Sequence, residues 1–420
     1  MIARLAFRNV LRQRRRTALT ALAIVASFAL LLVMTGFADG AHEQMADIGV
    51  RMGLGDVVVQ ARGYRDDPSI DRTLDHPEAI EAAARDLGVP IDGVAPRLRV
   101  EGLTQAGGAG VGSSVWGVDP AVEGRLSKVG APASIVSGAA LDASDAAPRA
   151  GAPPPIVVGR AMATELGARV GDRVTVTLQP AKDAARDAPP MRTGTFVVKG
   201  IYATGVRDVD AHVVLVPLGV LQALTNVGDR VTSVAVLLQK TRLAPAAAAA
   251  LAARLPGDDV LPWQKAAPEL YAAIAIDEAG MYVMMAIVYV VVAAGILNTI
   301  LLSVLERTRE LGVMLALGTP PSRVVAIVMT ESALLGVASI AVGLALGLAG
   351  NHWLATRGVA LDTGHMEASG VLLPTHYYSD LAPEKVVWSA IVVFVIVLAS
   401  ALYPAIRASR LAPVEAMRHA

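Results

Sequence analysis

The sequence predicts a membrane protein of four transmembrane α-helices with a large α+β domain inserted between the first and second. Three observations predict it. Of 420 residues, 54% are hydrophobic and only 4% aromatic, and the mean hydropathy is +0.51, outside the usual range of soluble domains. Four runs are long enough to cross a bilayer, which takes roughly 20 mainly apolar helical residues because hydrocarbon cannot satisfy backbone polar groups. Finally, the arginines cluster in alternate segments between these runs.

The segment 1–16 carries Arg4, Arg8, Arg12, Arg14, Arg15 and Arg16. It precedes the first span, 17–37, whose apolar run exceeds the ~7–15 residues of a signal-peptide core, so it is read as retained. Arg307, Arg309 and Arg323 lie in 306–323, and Arg407, Arg410 and Arg418 in the tail 404–420, against only Glu306, Glu310 and Glu415. The positive-inside rule places these three segments, and with them both termini, in the cytoplasm. The acid-rich 38–280 and the loop 349–385 then lie outside.

Within 38–280, alternation predicts strands over Gly55–Ala61, Arg173–Gln179, Gly194–Ala203, Ala211–Leu218 and Val231–Gln239. Helices are expected over His76–Gly88, with Asp75 as cap, and over Gly159–Ala168 and Leu243–Leu255. The Pro/Ala-rich stretches Ala139–Pro155 and Pro180–Gly194 read as loops, the second as an excursion between two strands. Asp208, Asp210 and His212 in "VRDVDAH" suggest an exposed acidic turn before a strand, or less readily a metal site.

The second span, 281–305, opens on Met281, Tyr282, Met284 and Met285, flexible apolar side chains that suit either varied apolar partners or simple packing. Asn298 and Thr299 are expected to face the bundle interior. In the third span, 324–348, Gly343 and Gly347 with Gly350 beyond them form a small-residue face for close helix packing. Glu331 there is expected to point into the bundle rather than at lipid, and, about two turns from the cytoplasmic end, either to snorkel to the interface or to have a role in coupling. The loop 349–385 contains "LLPTHYYSDLAP", expected to be extended and docked on the inserted domain, and 386–403 is the fourth span.

Between spans two and three, Glu306, Arg307, Arg309 and Glu310 are too polar for lipid. Leu311, Met314, Leu315 and Gly318 follow at i, i+3, i+4, i+7, an apolar stripe on a short helix that a partner groove could receive. An interfacial helix resting on headgroups is the plainer alternative. Gly318 and Pro320-Pro321 end it. The chain has no GxxxxGK[ST] phosphate loop, no HExxH and no cysteine, so nucleotide hydrolysis, thiolate metal sites and disulfides are not expected within it.

"ERTRELGVMLALGTPPSRV" resembles the segment after the second transmembrane helix of FtsX/MacB-type ABC permeases. "LAFRNVLRQRRRTALTALAIVASFALL" (5–31) and "YPAIRASRLAPVEAMRHA" (403–420) resemble their N-terminal and C-terminal signatures. "VVGRAMATELGARVGDRVTVTL" (157–178) and "FVVKGIYATGVRDVDAHVVLVPLGVLQAL" (196–224) are similar to the periplasmic domain of lipoprotein-releasing permeases of the Lol system. The resemblance implies an inner-membrane permease, paired with a second permease subunit and with an ABC ATPase dimer that binds ATP and Mg. The coupling helix to that ATPase would comprise Glu306, Arg307, Arg309, Glu310, Leu311, Met314, Leu315, Ala316, Leu317 and Gly318, and Leu315→Asp is expected to uncouple it. Movement of the membrane helices would change the posture of the periplasmic domain.

In the lipoprotein branch the resemblance implies a lipoprotein cargo held between the first two helices, among Met34, Phe37, Met281, Tyr282, Met284 and Met285. It also implies a periplasmic chaperone met by a hairpin at Pro189, Pro190, Met191 and Arg192. Membrane lipids are expected contacts and nucleic acid is not. The "ERTRELG" half is closer to macrolide-efflux and FtsX-like members, which leaves two alternatives: an efflux permease with an adaptor and outer-membrane duct, or a regulator of a cell-wall hydrolase.

Overall fold

The computed structural model describes residues 14–146, 151–181, 190–361, 367–368, 371–372 and 375–409. Arg4, Arg8, Arg12, Pro189 and the tail from Arg410, with Glu415 and Arg418, lie outside them. Along the chain, helix α1 (Arg14–Gly49) passes through a turn over Val50–Leu54 into strand β1 (Val57–Gln60). There follow α2 (Pro77–Arg85), the long hairpin β2 (Ile91–Ala106) and β3 (Ala109–Val118), and α3 (Glu123–Leu126). Next come β4 (Ile135–Gly138), β5 (Pro155–Gly159), α4 (Arg160–Leu166), β6 (Arg173–Leu178) and β7 (Arg192–Tyr202). The domain closes with α5 (Arg207–His212), β8 (Val213–Pro217), α6 (Leu218–Thr225), β9 (Ser233–Leu238), α7 (Ala244–Ala252), β10 (Asp259–Pro262) and α8 (Trp263–Ala266). The remaining helices are α9 (Pro268–Leu305), α10 (Thr308–Ala316), α11 (Pro321–Arg357) and α12 (Pro383–Ser409).

Contacts divide this chain into two units, one drawn from Met1–His42, Ile276–Asp362 and Thr375–Ala420, the other chiefly Glu43–Ala275. In the first, α1, α9, α11 and α12 are long and apolar enough to cross a membrane, as the sequence predicts. All four run past the expected 17–37, 281–305, 324–348 and 386–403, because helix formation continues through flanking polar residues that cannot sit in lipid. Ile24, Phe28 and Leu32 of α1, Ile296 and Ile300 of α9, Val324 and Val328 of α11, and Val393 and Val397 of α12 form the shared core.

The second unit holds a ten-stranded sheet in the order β10-β1-β9-β2-β3-β8-β5-β7-β4, with β6 bridging β2 and β7. Its 16-residue β2 serves two cores. Val94 joins Val57, Val59, Val234 and Val236 beneath α2 and α7. Leu98 and Val100 join Ile156, Val158, Val176, Val198 and Val214 with α4 and α6. Such burial contributes about 1.5–3 kcal/mol per large aliphatic side chain.

Several expectations need correction. Asp75 does not cap α2: the cap position is His76, and Asp75 Oδ1 lies 2.6 Å from the His76 ring Nδ1. Strands β2, β3, β4, β5 and β10 were not expected, and β5 begins at the end of the expected loop 139–155. "VRDVDAH" is helix α5 rather than an exposed turn. Its Asp210 is buried and accepts bonds from the Thr204 and Gly205 amides at 2.8 and 3.2 Å, so that carboxylate is committed to the turn and not to a metal. The segment from Thr375 belongs with the helical unit, not with the inserted domain. The Asp380 amide donates to the Gly36 carbonyl at 3.0 Å, and His376–Tyr377 pair with Val359–Ala360.

Candidate functional site

The helix α10 has a face for the bundle and a face without cover. Leu311 is 1% exposed and packs with Val304, Val324, Ala405 and Ala408, with Met314 and Leu315 against the same core. Of the expected partner-facing stripe, Leu311 is therefore turned inward and Met314 and Leu315 are half-buried against the core, while Gly318 is exposed. A short helix between two adjacent spans places its apolar stripe where their ends already offer apolar surface, so much of the stripe is taken up by the bundle itself. The outward face carries Arg309, Glu310, Val313, Ala316 and Leu317, the last 82% exposed, and Gly318 ends the helix at φ +87°. Glu306 is exposed as well.

Arg307 stands at the N-cap position of α10, without a side-chain capping bond, and reaches to α11. Its guanidinium pairs with Glu331, with one Nη to Oε1 distance of 3.4 Å, and its Nε lies 3.3 Å from Glu310 Oε2. Glu331 is thus neither turned to the bundle centre nor free at the interface; it ties the third span to the connecting helix. No spacing rule links positions 307 and 331, which is why sequence reasoning left this pair unassigned.

The glycine face brings α11 onto α1. A Cβ at Gly343 would lie 3.1 Å from Phe28, one at Gly347 2.8 Å from Leu32, and one at Gly350 2.9 Å from Val33. Just beyond, buried Asn351 donates to the Leu32 carbonyl at 3.0 Å and accepts from Ser379 Oγ. Asn298, by contrast, lies on the exposed side of α9, and Thr299 is half-buried with its hydroxyl on the Gly295 carbonyl at 2.8 Å. Both were expected inside the bundle.

The six candidate cavity residues do not form one packed cluster. Met34, Tyr282 and Met284 are exposed, and Met281 is half-buried. Phe37 lies 5.9 Å from the Tyr377 ring, and Met285, half-buried, packs against the helix core. Polar links surround this end: His42 Nε2 to Asp277 Oδ2 at 2.8 Å joins α1 to α9, and Lys385 pairs with Asp39 to join α12 to α1.

In the inserted domain, β6 and β7 pair antiparallel from Arg173↔Val197 to Leu178↔Arg192, and the expected excursion between them lies mostly outside the described residues. Pro190, Met191 and Arg192 are exposed there, Arg192 lying 3.5 Å from the Leu224 carbonyl. A second feature escaped sequence reasoning altogether. After α1, Gly53 takes φ +97°, and its carbonyl accepts from Arg97 at 2.6 Å and from Arg99. Arg97 is itself held by a bidentate pair to Glu123, at 3.0 and 2.8 Å, both side chains almost wholly buried. A Cβ on Gly53 would come within 2.3 Å of the Trp116 ring, over which Arg99 lies at 4.2 Å. The chain thus leaves α1 through a locked joint. Beside it, burial raises the Asp56 carboxyl to about 6, against hydrogen bonds from Leu238 and Thr241.

Comparisons with known proteins give the family of the chain. Residues 17–254 match the MacB-like periplasmic core domain and residues 282–413 the FtsX-like permease C-terminal domain. The lipoprotein-releasing system transmembrane protein LolC of Neisseria meningitidis is 26% identical over 274 residues, 63% of this chain and 65% of that protein. The corresponding LolE of Haemophilus influenzae is 26% identical over 275 residues, 62% and 64%. The chain thus spans a little under two thirds of the length of these curated relatives. Among solved structures, the periplasmic region of MacB from Actinobacillus actinomycetemcomitans aligns at TM-score 0.34 and 12% identity, over 50% of this chain and 90% of that one. The domain match alone takes in more than half of the residues, and with the C-terminal match it shows that the chain belongs to the FtsX/MacB-type ABC transporter permeases, multi-pass proteins of the inner membrane.

Proposed function

We propose that the chain is the membrane subunit that extracts lipid-anchored proteins from the inner membrane, driven by a separate ABC ATPase dimer and delivering to a periplasmic chaperone. The observation that carries the coupling is the uncovered face of α10, tied through Arg307 and Glu331 to α11. The lipoprotein cargo is supported by similarity to proteins named for lipoprotein release. In this reading the ATPase binds ATP and Mg, closes and shifts α10. The ion pair passes the displacement to α11, the glycine face passes it to α1, and the Gly53 joint passes it to the inserted domain. Met34, Phe37, Met281, Tyr282 and Met284 meet acyl chains, and Pro190, Met191 and Arg192, with Pro189, meet the chaperone. A second permease subunit covers the outward side of α9, where Asn298 otherwise places an amide in lipid. Termini and α10 are cytoplasmic, and the inserted domain is periplasmic.

The test is to purify the complex with its ATPase without nucleotide and identify bound ligands by mass spectrometry. Triacylated proteins are expected, and their absence sinks the cargo reading. Recovery of small amphiphiles with an adaptor protein instead supports an efflux permease, a reading favoured by the MacB-like domain match. For orientation, cysteines introduced at Asp142 and Thr319 should label from opposite sides of the membrane.

A further inference from the structure

The connection between α7 and β10, residues 253–258, meets both ends of α2. Arg254 donates to the Ala83 and Asp86 carbonyls at 3.1 and 3.0 Å, where α2 ends. At the start of α2, His76 lies between two carboxylates: its Nδ1 is 2.6 Å from Asp75 Oδ1 and its Nε2 is 3.0 Å from Asp258 Oδ2. Neutral imidazole has one N–H and one lone pair, so it donates to one carboxylate and turns its lone pair on the other. Imidazolium donates from both nitrogens, and the arrangement fits the charged ring. Asp258 loses most when that charge goes. Its side chain is 9% exposed, and among the described residues its carboxylate pairs with His76 alone. The other charges nearby are Arg230, which acts on Asp75 and bonds the Val227 carbonyl through Nε at 2.8 Å, and exposed Glu78 and Asp229. Arg62 donates to the Pro256 carbonyl, and Asp259 accepts from the Gly63 amide at 3.0 Å. Of these side-chain types only histidine ordinarily changes charge near neutrality. The bond to Asp75 is the largest influence on the ring; burial opposes it, the bond to Asp258 adds to it, and the His76 pKa rises above 6.5. A group whose pKa rises on folding contributes fully below its unfolded value and ceases to as pH passes the folded one. The arrangement is therefore intact below pH 6.5 and weakens above it.

We infer that His76 is a pH-sensitive clasp: charged, it ties the start of α2 to the α7–β10 connection, and on losing its proton it frees that connection. What it frees is the entry to an edge strand. β10 begins at Asp259, pairs with β1 from Gln60↔Asp259 to Val57↔Pro262, and leads through α8 into α9. Mild acid thus stiffens the strand by which the chain returns to its second span, and mild alkali loosens it. The clasp is independent of the cargo proposed above.

The experiment is amide hydrogen exchange, read by mass spectrometry on the full-length protein in detergent micelles at pH 6 and pH 8, each rate divided by its unstructured-peptide value at the same pH. The amides of Arg254, Leu255 and Asp258 are hydrogen-bonded and report opening of the connection. Their protection is expected to fall by about threefold or more between pH 6 and pH 8. In His76→Gln and in Asp258→Asn it should be the same at both pH values; with two variants, misfolding of one leaves the other to decide. Asp56 is retained in both, so its titration cancels in the comparison with wild type. Exchange at the histidine ring carbon between the two nitrogens, followed against pH, should give His76 a midpoint above 6.5. Equal protection at the two pH values in wild type, a pH dependence kept in the folded variants, or a His76 midpoint at or below 6.5 overturns the inference.

Discussion

The connecting helix α10 and the Gly53 joint both mark where a long apolar helix gives way to something else, and they are built in opposite ways. At α10 the ion pair Arg307–Glu331 keeps some solvent contact, and one helix face stays bare with Leu317 outermost. At the joint, Arg97 and Glu123 are buried, the carbonyl of Gly53 is bonded twice and no large apolar side chain there stands free. A surface left uncovered suits a partner that comes and goes; a desolvated network in which the buried charges of Arg97 and Glu123 are paired suits an element that must pass on movement without yielding.

Breaking the joint should have the largest effect. Arg97→Met leaves the Glu123 carboxylate buried and unpaired, an expected loss of about 3–5 kcal/mol. It should be read as a lower melting temperature of the inserted domain by differential scanning calorimetry. The double variant Arg97→Met/Glu123→Leu should recover most of that loss, and no recovery would mean that packing rather than charge holds the joint.

Asp56 sharpens the same region through pH. Its folded pKa of about 6 lies above the unfolded 3.8, so the folded state binds the proton more tightly. Its contribution is fully present below pH 3.8 and is lost as pH rises through 6, a change of roughly 3 kcal/mol. Asp56→Asn should remove that slope, checked by urea unfolding between pH 4 and 7. An unchanged slope would exclude Asp56 as its source.

Gly53→Ala meets both a positive φ and the Trp116 ring, with an expected cost of about 1–3 kcal/mol. Transport should fall further than stability alone explains, measured as cargo release at a temperature where the variant remains folded. At α10 the two leucines should part company. Leu315→Asp should destabilise the helical unit, since it forces a carboxylate against the core. Leu317→Asp should change stability by less than about 0.5 kcal/mol yet abolish stimulation of the partner ATPase. Equal ATPase stimulation by Leu317→Asp and wild type would overturn the assignment of that face.

Legibility differed between units for a physical reason. In the helical unit the solvent is lipid, so apolar runs, arginine flanks and the glycine spacing 343, 347, 350 carry their meaning locally. Even there the stripe Leu311–Met314–Leu315 announced a hidden face without saying what hides it. In the inserted domain, strands with clean alternation were readable. The central β2–β3 hairpin was not: Pro96, Arg97, Arg99 and several glycines give it weak strand propensity, and pairing on both sides decides its state. One signal was available, since Gly107 and Gly108 both take positive φ between Ala106 and Ala109, the two-residue turn that joins such strands.

The sequence by itself determined four spans, an inserted α+β domain, a polar connection between spans two and three and the small-residue face of the third span. Each depends on the composition or period of one continuous stretch. Only the tertiary structure decided that Glu331 holds Arg307, that Leu317 rather than Leu315 faces outward, and that Arg97 and Arg99 close on Gly53. Those outcomes join residues tens of positions apart, and burial, which decides whether a charge is a solvated surface group or a lock, is a property of the neighbours the fold supplies.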